Sequence, residues 1–484
     1  MPNDTKTNCR TRRLLLTILL VALGLRILAA CGLQSLLDHR WHRDFLIAGD
    51  AEGYWMLAQR ISAGEDYSIY TPPRYALRMP GFPALLAIPV TFFGPKLFAA
   101  RLFLAFVGTL GCWLVFRLGR DLFNVRVGLM AAVLAAISPV LVVFSETILS
   151  ETAFAVTMLW SLLAGHHLYC CLNPERLNLT SETASHPSDI DSLLSGSPLS
   201  DSSPPANVAT HVSTTGGHDW RSRFHPGGRA GFQALHTGLA IAAGVMMRPS
   251  WILAAPIVAA LLTLLSKPRP RAALAGGIVI LAMVLALLPW GLRNQRVTGH
   301  FTFTTFWMGP SLYDGLNPVA TGDSNMEFYD RDRLMLTMDE YEVDQHYRQA
   351  ARQFVIDHPQ RTAQLALTKA ARYWSPWPNA DQFSQWWAKL IVGLFFVPVL
   401  LLSVWGAICL FMRAQTQVGS HRDESIRRAN WSLAILAGPI FYFALIHMVF
   451  VSSLRYRLPA EYSLLVLAAF GLTNLWTNRR ASQA

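Results

Sequence analysis

The chain has 484 residues, of which 52 % are hydrophobic and only 15 % charged, with a net charge of +11. Soluble domains carry about 25 % charged residues, so an ordinary soluble protein is excluded. The positive excess reads as membrane topology rather than nucleic-acid binding, because the basic residues collect in loops between apolar runs.

Taken in order, the first apolar run, 14–37, follows Lys6, Arg10, Arg12 and Arg13. It is long for a signal peptide and is read as an uncleaved first span with a cytoplasmic N-terminus. Arg26 sits near its middle, where an arginine is either a functional group or a buried structural pair. The first outer loop, 38–97, follows. Within it Asp50 and Glu52 open a short amphipathic helix ending at Gly64, and Arg74 and Arg78 precede a Pro-Gly-Phe-Pro turn. The apolar run Phe82–Phe93 is too short to cross comfortably, so it is expected to be re-entrant or juxtamembrane. That choice places every later basic cluster on the cytoplasmic side. Spans are expected at 98–118, 125–144 and 152–172. The last two meet at an outer turn holding Glu146 and Glu151, where Ser150 as an N-cap is the structural alternative. These residues complete an N-terminal membrane module, 1–172.

Residues 173–231 are rich in Ser, Pro, Thr and Asp and nearly devoid of aromatics. Such a composition cannot bury enough apolar surface to fold, which predicts a disordered cytoplasmic linker. Membrane helices resume over 232–289, as spans at 233–247, 251–266 and 273–289, with Arg248 in the outer turn between the first two. Residues 290–388 form the longest external segment. It starts with a strand-like alternation at 301–306, then a helix around 343–358 and another from Pro359 to Trp374, making a small α-rich domain. Three further spans, 389–412, 430–451 and 459–476, complete the C-terminal module, 389–484, with Arg455 and Arg457 in its outer turn. The count is about ten spans with both termini cytoplasmic, in an all-α polytopic membrane protein. The six cysteines include no CxxC and no Cys/His metal spacing, so no disulfide framework and no structural zinc is expected.

The outer polar groups are Asp50, Glu52, Arg74, Arg78, Glu146, Glu151, Arg248, Arg293, Asn294, Arg455 and Arg457. Singly, each arginine reads as a head-group anchor. Together, carboxylates and guanidiniums at one water–lipid boundary suit group transfer from a lipid phosphate. Guanidinium forks hold the phosphate, and a carboxylate takes the proton of an incoming hydroxyl.

At these residues the chain resembles the polyprenyl-phosphate-dependent glycosyltransferases of the C superfamily, whose relatives include protein O-mannosyltransferases and lipid A aminoarabinose transferases. The resemblance runs through GDAEGY to RMPGFPALLA, then SETILSETAFA, RPSWILAAP, PWGLRNQRVTGHFTF, DHPQRTAQLALTKAARYW and RYRLPAEYSLLVLAAFGL. It covers most of the chain outside the linker and implies the GT-C bundle. It further implies Asp50, with Glu52 and Glu151, as catalytic acids, and Arg78, Arg293, Arg455 and Arg457 as donor-phosphate ligands, with Arg74, Glu146, Arg248 and Asn294 as further candidates. The first loop departs from the mannosyltransferase pattern of adjacent Asp-Glu, because Ala51 intervenes. The implied partners are a polyprenyl-phosphate-linked sugar, a hydroxyl acceptor (lipid, glycan or protein) and the bilayer, without nucleic acid. The implied place is the cytoplasmic membrane, with the site on its outer face and transfer with inversion. A divalent cation is compatible with acids facing phosphate, but no ligand spacing argues for one. The reading from another class is a lipid or solute transporter, which would place polar sites at mid-bilayer; Arg26 and His447 are the residues to watch. A non-catalytic scaffold presenting 290–388 is the third.

Overall fold

A computed structural model describes residues 2–174, 228–378, 385–417 and 421–481. Most of the expected linker lies outside them. Among the described residues the fold is all-α; no strand forms, and one isolated bridge joins Ile69 to Arg74. In hydrocarbon a helix satisfies its own backbone polar groups, so the apolar runs become the frame. In chain order the helices are α1 (Pro2–Leu36), α2 (Asp50–Ala63), α3 (Gly81–Phe93), α4 (Leu97–Leu122), α5 (Val125–Ile137), α6 (Pro139–Ser145) and α7 (Glu151–Leu172). After the linker come α8 (Gly228–Met247), α9 (Ala254–Leu265), α10 (Arg269–Thr298), α11 (Met308–Gly315), α12 (Glu327–Asp332), α13 (Glu340–Asp357) and α14 (Pro359–Trp374). The series closes with α15 (Trp386–Gln415), α16 (His421–Val449) and α17 (Leu454–Ala481).

Eight of the described helices are long and apolar enough to cross a membrane, or nine if α5 and α6 count as one bent span. The chain is a multi-pass membrane protein. The tenth expected span, at 251–266, falls in α9, which does not count by length alone: its 12 residues cover about 18 Å at 1.5 Å per residue. Even so, Ser266 just past α9 bonds Asn173 at the far end of α7, at 3.2 Å. The α5–α6 bend is 63°. It falls where Pro139, which lacks an N–H, cannot extend the preceding helix, and Ser138 caps the new one through Leu141. Phe82–Phe93 lies in the short helix α3.

The core of the bundle is α17, packed on α15 and α16. Gly406 and Gly471 let α15 and α17 touch backbone to backbone: a Cβ on Gly471 would lie 2.2 Å from the Leu402 carbonyl oxygen. Ser403 adds a hydrogen bond to the Leu464 carbonyl at 3.1 Å. Arg26 is fully buried and donates to the carbonyls of Ala22 (3.1 Å) and Ala135 (3.3 Å), tying α1 to α5. His447 is paired with the Val451 carbonyl at 2.7 Å.

Helices α11 to α14 form the domain beyond the bundle. A capping box of Asp339 and Glu342 starts α13, and Val343, Tyr347, Ala351 and Phe354 give it a buried face. Lys369 of α14 donates to the Val449 carbonyl at 2.6 Å and Arg372 to Ser452 at 3.1 Å, fastening the domain to the end of α16. The strand expected at 301–306 does not form. Its carbonyls are taken by side chains instead: Trp290 donates to Thr304 at 2.9 Å, and Asn294 to Thr302 at 3.1 Å. Both donors lie on α10, which continues through Pro289 to Thr298 rather than stopping at 289.

The glycine contact predicts a contrast. Gly471→Val should destabilise the detergent-solubilised protein by about 1–3 kcal/mol or more through overpacking. Gly277→Val, where a Cβ meets nothing within 4 Å, should leave the thermal midpoint unchanged. Equal midpoints for the two variants would contradict this packing.

Candidate active site

Four parts of the chain converge at the end of the bundle that carries the helical domain. Asp50 opens α2, Arg78 ends the following loop, Glu151 opens α7, and Arg455 lies in the first turn of α17. Arg78 donates to Asp50 Oδ1 at 2.8 Å, and Arg455 donates to Asp50 Oδ2 at 2.7 Å. The Arg455 Nε–H is bonded to Glu151 Oε1, and Arg248, between α8 and α9, stands 3.5 Å from the same oxygen. Three guanidiniums thus surround two carboxylates, leaving an excess positive charge. Ser150 makes no capping bond; Glu151 is held by cations instead, so the helix-cap alternative is not what the fold uses.

Aromatic faces wall the cluster. Arg78 lies over Tyr54 (5.7 Å) and Trp307 (4.9 Å), and Arg248 over Tyr456 (5.5 Å) and Phe154 (6.0 Å), each favourable for a cation on a ring. Burial works against the charge on Asp50, but Arg78 and Arg455 outweigh it and hold the carboxyl well below its usual value of 3.8. Burial also pushes the Tyr54 hydroxyl up. Two buried polar atoms here, Arg78 Nε and Glu151 Oε2, have no partner among the described residues. A native site seldom leaves such groups idle, so they mark capacity for a ligand.

Other residues singled out from sequence go elsewhere. Glu52 is exposed on the opposite side of α2. Arg74 is buried and donates to the carbonyls of Met335 and Met338. Arg293 spends its guanidinium on the carbonyls of Tyr75 (2.5 Å) and Tyr67 (2.8 Å), and Asn294 serves the 302–304 backbone. Arg457 is fully buried, paired with Glu461 at 2.6 Å, and donates to Tyr373 and Ser375. These four are struts rather than members of the cluster. Glu146 is buried beside a separate cavity. Sequence reading passed over Glu340, which receives the backbone N–H groups of Tyr75 and Ala76 (3.1 and 3.0 Å). With Arg74 and Arg293 it clamps the loop that presents Arg78. Glu340 lies 264 residues from Ala76, so no local signal announces it. Among the described residues no group of acids, histidines or cysteines is arranged to hold a metal ion.

A family model described as dolichyl-phosphate-mannose-protein mannosyltransferase matches residues 77–171, the stretch containing Arg78, Glu146 and Glu151. No curated protein sequence matches the chain significantly. Among solved structures, the chain is similar to the oligosaccharyltransferase AglB of Archaeoglobus fulgidus in complex with an inhibitory peptide and a dolichol-phosphate. The identity is 13 % and the TM-score 0.54, over 99 % of this chain and 51 % of that one. The apo form of the Archaeoglobus fulgidus oligosaccharyltransferase gives 16 % and 0.56, over 98 % and 52 %. ArnT of Cupriavidus metallidurans bound to undecaprenyl phosphate gives 12 % and 0.40, over 94 % and 76 %. The chain spans about half the length of the oligosaccharyltransferases it matches. The likeness to them shows the fold: the GT-C bundle.

Linkage gives the site a pH signature. Because folding lowers the Asp50 pKa, its contribution to stability is complete above the ordinary 3.8 and is lost as pH falls through the lower folded value. The stability gap between the wild type and Asp50→Asn should therefore be constant above about pH 5 and narrow in stronger acid. Chemical denaturation across that range measures it, and a gap that does not change would refute the pairing.

Proposed function

We propose that the chain is a membrane glycosyltransferase, moving a sugar from a polyprenyl-phosphate donor to a hydroxyl of a lipid, glycan or protein acceptor. The observation that carries this reading is the excess of guanidinium over carboxylate in a buried, aromatic-walled cluster at one end of the bundle. Such a cluster suits an anion delivered from the bilayer. Support comes from the mannosyltransferase match across Arg78 to Glu151 and from the GT-C fold, seen in a neighbour that holds dolichol-phosphate.

In this reading Arg78, Arg455 and Arg248 take the donor phosphate. The acceptor oxygen attacks the anomeric carbon, and a new C–O bond forms as the bond to the phosphate oxygen breaks. The phosphate departs with the electron pair, its charge met by guanidiniums fixed beforehand, and the hydroxyl proton passes to Asp50. One displacement inverts the anomeric centre. With both oxygens occupied, Asp50 is a weak base. A phosphate that draws off one guanidinium raises its basicity, so the base becomes competent only after the donor binds. Glu151 keeps Arg455 oriented and is the second candidate for the proton. Basic residues at the opposite end of the bundle, among them Arg117, Arg120, Lys267 and Arg413, support a cytoplasmic position for that end by the positive-inside rule; in this reading the cluster faces the extracytoplasmic side of the cytoplasmic membrane.

Asp50→Asn should reduce transfer from a polyprenyl-phosphate sugar by about 10²–10⁴-fold, the usual worth of a general base, while polyprenyl phosphate still raises the thermal midpoint. Mass spectrometry of lipid A, glycoproteins and wall glycans in a deletion strain identifies the product to assay. Full turnover by Asp50→Asn would remove Asp50 from the reaction.

A further inference from the structure

A cavity of about 500 Å3 is bounded by α1, α6 and the start of α15. Its wall on α1 is Ala29, Gly32, Leu33 and Leu36, one face at helical spacing. Trp41 and Trp387 stand partly exposed at its rim, as aromatic side chains do at a membrane interface. Its buried polar residue is Glu146; Arg40 and Gln385, both exposed, also line it. One carboxylate oxygen takes a 3.3 Å bond from Ser145, and Oε2 has no partner among the described residues. Burial pushes this carboxyl up to about 8, so at neutral pH it is largely a neutral group that both donates and accepts. A neutral carboxyl in an apolar cavity matches a hydroxyl far better than an ion.

Glu146, Leu33 and Leu46 also border a smaller void of about 10 Å3, which reaches Ala51, the residue next to Asp50. Arg101, in the same void, has an unpartnered Nε among the described residues. The cavity and the void thus share a wall of Leu33, Leu46 and Glu146, and the void adjoins the segment that carries Asp50.

We propose that this cavity binds a membrane lipid with a hydroxyl-bearing head group, its chain along α1 and its hydroxyl on Glu146. Taken with the reading of the Asp50 cluster, on which this step rests, a lipid alcohol held here is the acceptor class, its hydroxyl leaving Glu146 for Asp50 before transfer.

The test uses the full chain in nanodiscs with a diazirine-bearing long-chain alcohol as photoprobe, followed by peptide mapping. Labelling should concentrate in 29–46 and 143–149. Gly32→Trp, where a side chain meets nothing within 4 Å of its Cβ, should fill the cavity and abolish that labelling. Glu146→Leu should weaken it by about tenfold, the worth of one buried hydrogen bond. Stabilisation by polyprenyl phosphate is measured in parallel on all three proteins. Labelling spread over the lipid-facing helices, or unaltered in Gly32→Trp, overturns the binding site while the donor reading stands. Cavity labelling without stabilisation of the wild type by polyprenyl phosphate overturns the acceptor assignment together with the donor reading.

Discussion

The Asp50–Arg455–Glu151 contact is the interaction on which the arrangement of this protein depends. Taking charges out of water costs several kcal/mol per ion, and only close, well-bonded partners offset it. Each of the three faces an opposite charge, and Glu151, almost fully buried, has the most to lose without one. Together they join the first loop, the start of α7 and the start of α17, with Arg78 and Arg248 completing the ring. The cost of burying these ions thereby becomes a device that fixes where the loop lies.

The loop is held from its other side too. Glu340 receives two of its backbone N–H groups, Arg74 of the loop donates to the Met335 and Met338 carbonyls of the helical domain, and Arg293 takes the loop carbonyls of Tyr67 and Tyr75. The helical domain is itself fastened to α16 by Lys369 and Arg372. A rigid path therefore runs from the end of the bundle through the domain to the backbone of Tyr75 and Ala76, two residues before Arg78. Residues of that path set the geometry without touching a reacting atom.

Much of the bundle was legible in the sequence, because apolar length and basic loops report the bilayer directly. The short helix at Phe82–Phe93 and the helix from Pro359 were legible for the same local reasons. The alternation at 301–306 misled, since period two reports exposure on two sides and not the presence of a partner strand; here side chains of α10 occupy the backbone acceptors. Of the candidate site residues, Asp50, Arg78, Glu151, Arg248 and Arg455 meet, whereas Arg74, Arg293, Asn294 and Arg457 do not. The two kinds look alike in sequence. What separates them is the partner each meets: an acid of the cluster, or backbone carbonyls and, for Arg457, Glu461; several of these partners lie far away in the sequence.

Arg455 follows Asp50 by 405 residues and Glu151 by 304. At elongation rates of about 5–20 residues per second, Asp50 waits roughly 20–80 s for Arg455 to be synthesised. During that interval Asp50 has Arg78 and Glu151 has Arg248 as counter-charge, but nothing yet joins the two acids. Assembly of this centre is therefore a late event in biogenesis: a chain interrupted before α17 lacks the arginine that joins the two acids.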